Sequence, residues 1–283
     1  KDGNSFGFGP DAQGNLYAGT NAGAASDADT TYNIALGKCA GAALNSGDYN
    51  VFLGCYAGKG VTSGSQNVSI GLAAGLCRQS GINNIAIGFE TLKGDTSTPS
   101  NNSGSTNIGV GVYAGFKLTT GAGNVFVGGN AGCKLTTGSY NIGIGCLAFV
   151  GNYSTGSNNI AVGKEAGESI TSGSYNSLFG ESAGTNITGG TANVILGNSA
   201  GKYVTNTAYN TFVGSNTGLC NTGAINVAMG YMSLKGSTTT TNNTGSCNVA
   251  IGQYAGRDVT SGSFNVLVGH HAGCGVTSGA CNV

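Results

Sequence analysis

Apolar residues recur along the chain in short triplets, each opened by an asparagine and closed by a glycine: NIALG from Asn33, NVFLG from Asn50, NVSIG from Asn67 and NIAIG from Asn84. The asparagine returns at 107, 124, 141, 159, 176, 193, 210, 226, 248, 265 and 282, at spacings of 17 broken once each by 18, 16, 23 and 22. With that Asn as position 0, Gly stands at +4 and an apolar residue at +3 in every complete repeat. Position +7 is Ala or a small polar residue, and +8 is Gly except at Leu92, Phe149 and Leu234. A second apolar column (Leu44, Val61, Leu118, Leu135, Ile170, Ile187, Val204, Val259, Val276) lies six residues before the next Asn and is followed by Thr or another polar residue.

Alternation over +1 to +3 has the period of two that sends side chains to opposite faces. Each repeat therefore predicts two short strands joined by Gly-marked turns. A repeat of this size buries too little to fold alone, so repeats must stack and share a core. The expected fold is all-β: a β-solenoid, or parallel β-roll, of about fifteen 17-residue coils over 33–283. At ~4.8 Å per strand spacing that makes a rod of roughly 70 Å. The Asn suits a left-handed turn, and its stacked amides can hydrogen-bond up the column as a ladder. Residues 1–32 depart from the pattern, hold Asp2, Asp11, Asp27 and Asp29, and contain a degenerate coil around Asn15. They read as a cap or junction covering an open sheet edge. The spacing of Asp27 and Asp29 matches no calcium loop.

Composition narrows the function classes. Eleven Lys+Arg balance eleven Asp+Glu and only 8% of residues are charged, so nothing basic is present to neutralise nucleic-acid phosphates. No run reaches the ~18 apolar residues of a membrane span, so no membrane insertion is expected. The 54 Gly do not fall every third residue and Pro numbers two, which excludes collagen.

Candidate chemistry is sparse, and no catalytic residue, cofactor or metal site is assigned. Glu165, Glu168 and Glu181 lie on neighbouring coils and could pair as in a glycosidase, but Lys164 beside them favours a surface ion pair. His270 and His271, adjacent and read as strand residues, would point to opposite faces, so one metal cannot take both from one chain. The nine cysteines form no C-x-x-C motif and no two share a column in consecutive coils. Free thiols are expected, with Cys39 and Cys55 the one offset pair worth checking. The Thr column (Thr62, Thr119, Thr136, Thr171, Thr188, Thr205, Thr260, Thr277) is one residue wide and interrupted, unlike a two-column ice-binding face.

Two repeats carry matching insertions, at 93–106 and 235–247, each opening on Leu-Lys-Gly; the repeats that hold them stand 141 or 142 residues apart, which suggests duplication of a larger block. Loops projecting from a solenoid often carry its contacts, which nominates Lys93, Asp95, Asn101, Asn102, Lys235, Asn242 and Asn243 for receptor contact. Tyr56, Tyr113 and Tyr254 could stack on sugars. The +2 residues Phe52, Phe126, Leu178, Ile195, Phe212 and Leu267 are expected to alternate away from the intrachain core, forming an apolar inter-subunit stripe that a homotrimer, a dimer or an open filament would bury.

The segments NVFLGCYAGKGVTSGSQN (50–67) and NVFVGGNAGCKLTTGSYN (124–141) resemble the repeats of bacteriophage tail fibres and related trimeric fibre proteins. Units such as NIAIG and NVAIG are also similar to the head repeats of trimeric autotransporter adhesins, which are shorter than 17 residues. The resemblance covers 33–283. It implies a homotrimeric, non-enzymatic fibre of a virion tail or appendage that partners other virion or appendage proteins and helps attach to a host-surface glycan or protein. The fibre family often ends in an intramolecular chaperone cleaved after trimerisation, whereas here the repeats run to Val283. The alternatives are a cellular surface adhesin or self-assembling extracellular filament, and a glycan-degrading spike using Glu165 and Glu181.

Overall fold

The computed structural model describes residues 10–97, 102–237 and 243–283. The chain forms two compact units, Lys1–Gly123 and Asn124–Val283. The first holds β1 (Leu16–Ala18), β2 (Ile34–Leu36), β3 (Val51–Leu53), β4 (Val68–Ile70), β5 (Ile85–Ile87) and β6 (Ile108–Val110). The second holds β7 (Val125–Val127), β8 (Ile142–Ile144), β9 (Ile160–Val162), β10 (Ser177–Phe179), β11 (Val194–Leu196), β12 (Thr211–Val213), β13 (Val227–Met229), β14 (Val249–Ile251) and β15 (Val266–Val268). Within each unit every strand pairs in parallel with the next in sequence, position for position, as in Phe52↔Ser69 and Leu178↔Ile195. The protein is an all-β β-solenoid. Its first coil starts at Asn15, because Leu16↔Ile34 continues the register into the stretch expected to cap the fold.

Each coil has one strand, where the repeat suggested two. The second limb, around the +11 residue, is a bend. Thr171, Ser172 and Gly173 all donate their N–H to the single carbonyl of Thr188, at 3.0, 3.2 and 3.0 Å. A ladder needs alternating donors and acceptors, and three donors converging on one oxygen curve the chain instead. Among the described residues only one isolated bridge forms on this limb, Leu135↔Ser154.

Left-handed residues close the coil. Position −1 has φ of 57° at Tyr49 and 61° at Tyr175, and +6 has 61° at Tyr56 and 58° at Glu165. At +4 the backbone reaches a region that only glycine occupies comfortably. Gly197 has φ +138° there, and a Cβ on it would lie 2.5 Å from the carbonyl oxygen of Gly214 on the next coil. Consecutive coils approach too closely at this corner for any side chain.

The core is three columns wide. The +2 residues (Ala35, Phe52, Phe126, Leu178, Ile195, Phe212), the +7 residues (Ala40, Ala57, Ala183) and the +11 residues (Leu44, Leu118, Ile170, Ile187) are all buried. Size at +2 and +8 is complementary: a Cβ on Gly58 would meet the Phe52 ring at 2.4 Å. In the coils whose +2 is Ala86, Gly143 or Ala228, position +8 is Leu92, Phe149 or Leu234, each buried; where both positions are small, as at Ala35/Gly41 and Ala161/Gly167, Phe52 or Leu178 of the next coil reaches in. That is close packing by exchange of volume within a coil and between neighbouring coils.

Beside the core runs the asparagine ladder. Asn176 donates both its N–H and its Nδ2 to Asn159 Oδ1 at 3.0 Å, and its second Nδ2 proton to the Gly190 carbonyl at 2.8 Å. Its own Oδ1 accepts the N–H and Nδ2 of Asn193. Donor and acceptor capacity of each amide is thus filled, which is why a polar column can be buried at all.

Candidate functional site

The strand presents two faces, and the structure reverses their expected assignment. Phe52, Phe126, Leu178, Ile195 and Phe212 are fully buried and Leu267 is nearly so; they form the intrachain core, not an inter-subunit stripe. The outward face is made by +1 and +3. In the second unit these include Ile144, Phe179, Val194, Leu196, Met229, Ile251, Val266 and Val268, all exposed. Across β7–β15 the only polar residues on this face are Ser177 and Thr211, and none is charged. Nine of its eighteen side chains expose roughly 40% of about 150 Å² each, about 500–600 Å² together, and the other nine are half-buried, so the face exceeds the ~300–600 Å² patch of a typical monomer. A row of exposed position −1 rings, Tyr140, Tyr175, Tyr209 and Phe264, borders it. In the first unit Tyr32 and Tyr49 of the same column stack at 5.2 Å and 12°.

The insertions divide into anchors and surface. Asn102 is fully buried, its Oδ1 accepting the Asp95 N–H at 2.9 Å and its Nδ2 donating to the Asp95 carbonyl at 2.8 Å. Asn243 is buried likewise and donates Nδ2 to the carbonyls of Cys220 and Ser237. Both pin the base of a loop and are not available to a receptor. Asp95 accepts from the N–H and hydroxyl of Ser97. Lys93 pairs with Glu90 at 2.8 Å, and Lys235 is half-buried. Asn101 and Asn242 lie outside the described residues.

The carboxylates form a surface network around one lysine. Lys164 Nζ lies 3.3 Å from Glu165 and 3.7 Å from Glu181. It holds the Glu165 carboxyl below the usual range, and Ser182 adds a hydrogen bond of 3.2 Å. Lys164 favours the ionised form of Glu165, whereas the proton donor of a glycosidase needs a carboxyl held protonated. Glu168 stands apart, lining a cleft of about 380 Å³ with Lys134, Gly151, Asn152 and Ser169.

His270 and His271 follow β15 rather than lying on it. The left-handed φ of 59° at His271 brings the two rings to 4.2 Å, both against Tyr254. The expectation of opposite faces fails because a turn, unlike a strand, does not alternate. Among the described residues no group of His, Cys, Asp and Glu is placed to hold a metal ion. Asp27 instead accepts from the Asp29 N–H and the Thr30 hydroxyl, a local turn. All nine cysteines are free, and burial pushes the thiols of Cys77, Cys133 and Cys220 up. Hydroxyls of the Thr column, as at Thr62, Thr136 and Thr171, donate to carbonyls of the following coil; they stitch coils together.

Arg78 is the residue that the sequence pattern least advertises. It occupies the +11 column before the first insertion and is fully buried with no carboxylate partner, donating to the Gly104 carbonyl; burial lowers its pKa to about 10. The inserted coil lacks its own +11 aliphatic, and the long Arg side chain fills that gap. Asn221 takes the equivalent place before the second insertion.

No protein-family model matches the chain, and neither a curated protein nor a solved structure matches it.

Proposed function

We propose that the chain is the shaft of a homotrimeric structural fibre. Copies associate through the aliphatic face of the solenoid, and the assembly serves as a tail fibre or appendage of a virion that contributes to host-surface attachment. The observation that carries this reading is the uncharged +1/+3 face, too large and too apolar to stand in water along successive coils. Three such faces around an axis close on one another and leave no edge for further addition. The virion setting is supported by the resemblance of residues 50–67 and 124–141 to tail-fibre repeats. The protein's role in this reading is mechanical: coil after coil of backbone and amide hydrogen bonds supplies length and stiffness, and the insertions and turns supply surface chemistry.

Sedimentation equilibrium of the native particle tests it. The expected mass is about three times 27.7 kDa. A monomer, or a continuous distribution of large masses, would overturn the closed fibre.

A further inference from the structure

The two insertion-bearing coils share a feature that the other coils lack. In the first unit Phe89, at +5 of the inserted coil, meets Tyr113, at +6 of the next coil, edge to face at 5.3 Å. In the second unit Tyr231 and Tyr254 occupy the same two positions and meet edge to face at 5.5 Å. Elsewhere +5 is Lys38, Cys55, Leu72, Asn198 or another non-benzenoid residue, so the pairing is confined to these two corners. Each corner also carries two cations, of which Lys93 and Lys235 occupy the same repeat position. Lys93 and Lys117 stand over Phe116 at 5.2 Å, and Arg257 stands over Tyr254 at 5.7 Å near Lys235 of the inserted coil. Lys93 is paired with Glu90 and Arg257 with Asp258, which leaves Lys117 in the first corner and Lys235 in the second outside those ion pairs.

These rings are not core. Phe89 is 37% and Tyr231 40% exposed, while Leu92 and Leu234 of the same coils do the filling inside. Flat aromatic surface at a convex corner, edged by cations and by Gln253 or Glu90, matches a pyranose ring with an apolar C–H face and a charged rim. It lies on open surface, the setting for a polymer that passes across it, not for a small molecule that must be enclosed.

We infer that each unit carries one binding site for an anionic glycan, with the sugar ring on Phe89/Tyr113 or Tyr231/Tyr254 and its acidic substituent on Lys117 or Lys235. The inference rests on the fibre reading for its setting and gives the attachment step a ligand class. The test uses the assembled full chain, with its mass checked by sedimentation, titrated with dextran sulfate, polygalacturonate and neutral dextran in surface-binding and saturation-transfer measurements. Wild type binds one or both acidic polymers and not dextran. The pairs Phe89→Leu/Tyr113→Leu and Tyr231→Leu/Tyr254→Leu, which keep an apolar side chain but remove the rings, each remove about half of the capacity, and all four together weaken binding about tenfold or more. Tyr203→Ala, a lone exposed tyrosine beside Lys202, leaves binding unchanged. An assembled particle that binds neither acidic polymer, binds dextran equally, or binds undiminished with all four rings removed overturns the inference while leaving the fibre standing. A particle of monomer mass counts against the fibre alone.

Discussion

Removing one rung of the asparagine ladder gives the sharpest energetic prediction. Asn176→Ala deletes four side-chain hydrogen bonds: Nδ2 to Asn159 Oδ1, Nδ2 to the Gly190 carbonyl, and Oδ1 from the N–H and Nδ2 of Asn193. At a net value near 1 kcal/mol each, the loss is about 4 kcal/mol, and the buried Asn193 N–H left without its acceptor adds about 1–3 kcal/mol. A total of about 5–7 kcal/mol is comparable with the whole stability of an ordinary domain. Because coils interact chiefly with their neighbours, the damage should appear first in coils 159–193. Urea denaturation followed by circular dichroism gives the global value, and amide hydrogen exchange locates it. Asn152→Ala, at an exposed asparagine, should stay within about 0.5 kcal/mol. A loss below about 1 kcal/mol for Asn176→Ala would refute the ladder as a source of stability.

Three further outcomes follow from the same geometry. Gly197→Ala places a Cβ 2.5 Å from the Gly214 carbonyl oxygen at φ +138° and should cost about 3 kcal/mol or more in thermal melts, whereas Gly129→Ala, which meets nothing within 4 Å, should be silent. Arg78→Met removes a buried, unpaired guanidinium. The acceptor it contacts most closely, the Gly104 carbonyl, keeps the Asn84 amide as donor, so stability in urea should hold or rise by about 1–3 kcal/mol. Ellman titration of the native protein should modify exposed Cys146 well before buried Cys77 and Cys220, whose raised pKa keeps them as thiols; early reaction of Cys220 would contradict the packing.

Period, coil composition and the buried amide column were legible in the residues, because Asn, Gly and Ala recur at positions whose backbone or size demands admit little else. The orientation of the strand was not. Both faces of a triplet such as Val125-Phe126-Val127 are apolar, and a strand apolar on both sides does not say which one is inside. The deciding signal is subtler: the three coils that lose the +8 glycine, at Leu92, Phe149 and Leu234, all have Ala or Gly at +2, as a shared interior requires. The missing second strand was illegible too, since the convergence of Thr171, Ser172 and Gly173 on one carbonyl belongs to the coil-to-coil offset. Asn102 and Asn243 looked like loop surface by composition, and only their hydrogen bonds reveal them as anchors.

The claim that the aliphatic face is covered can be read from the two methionines. Met229 sits at +3 on that face and is 43% exposed in the single chain, whereas Met232 lies three residues on, outside the strand, and is half-buried. Mild peroxide oxidation with peptide mass spectrometry compares them inside one molecule. If copies cover the face, Met232 oxidises first and Met229 resists until the particle is dissociated. Oxidation of Met229 in the native particle as fast as, or faster than, Met232 would show the face open to water and contradict the account.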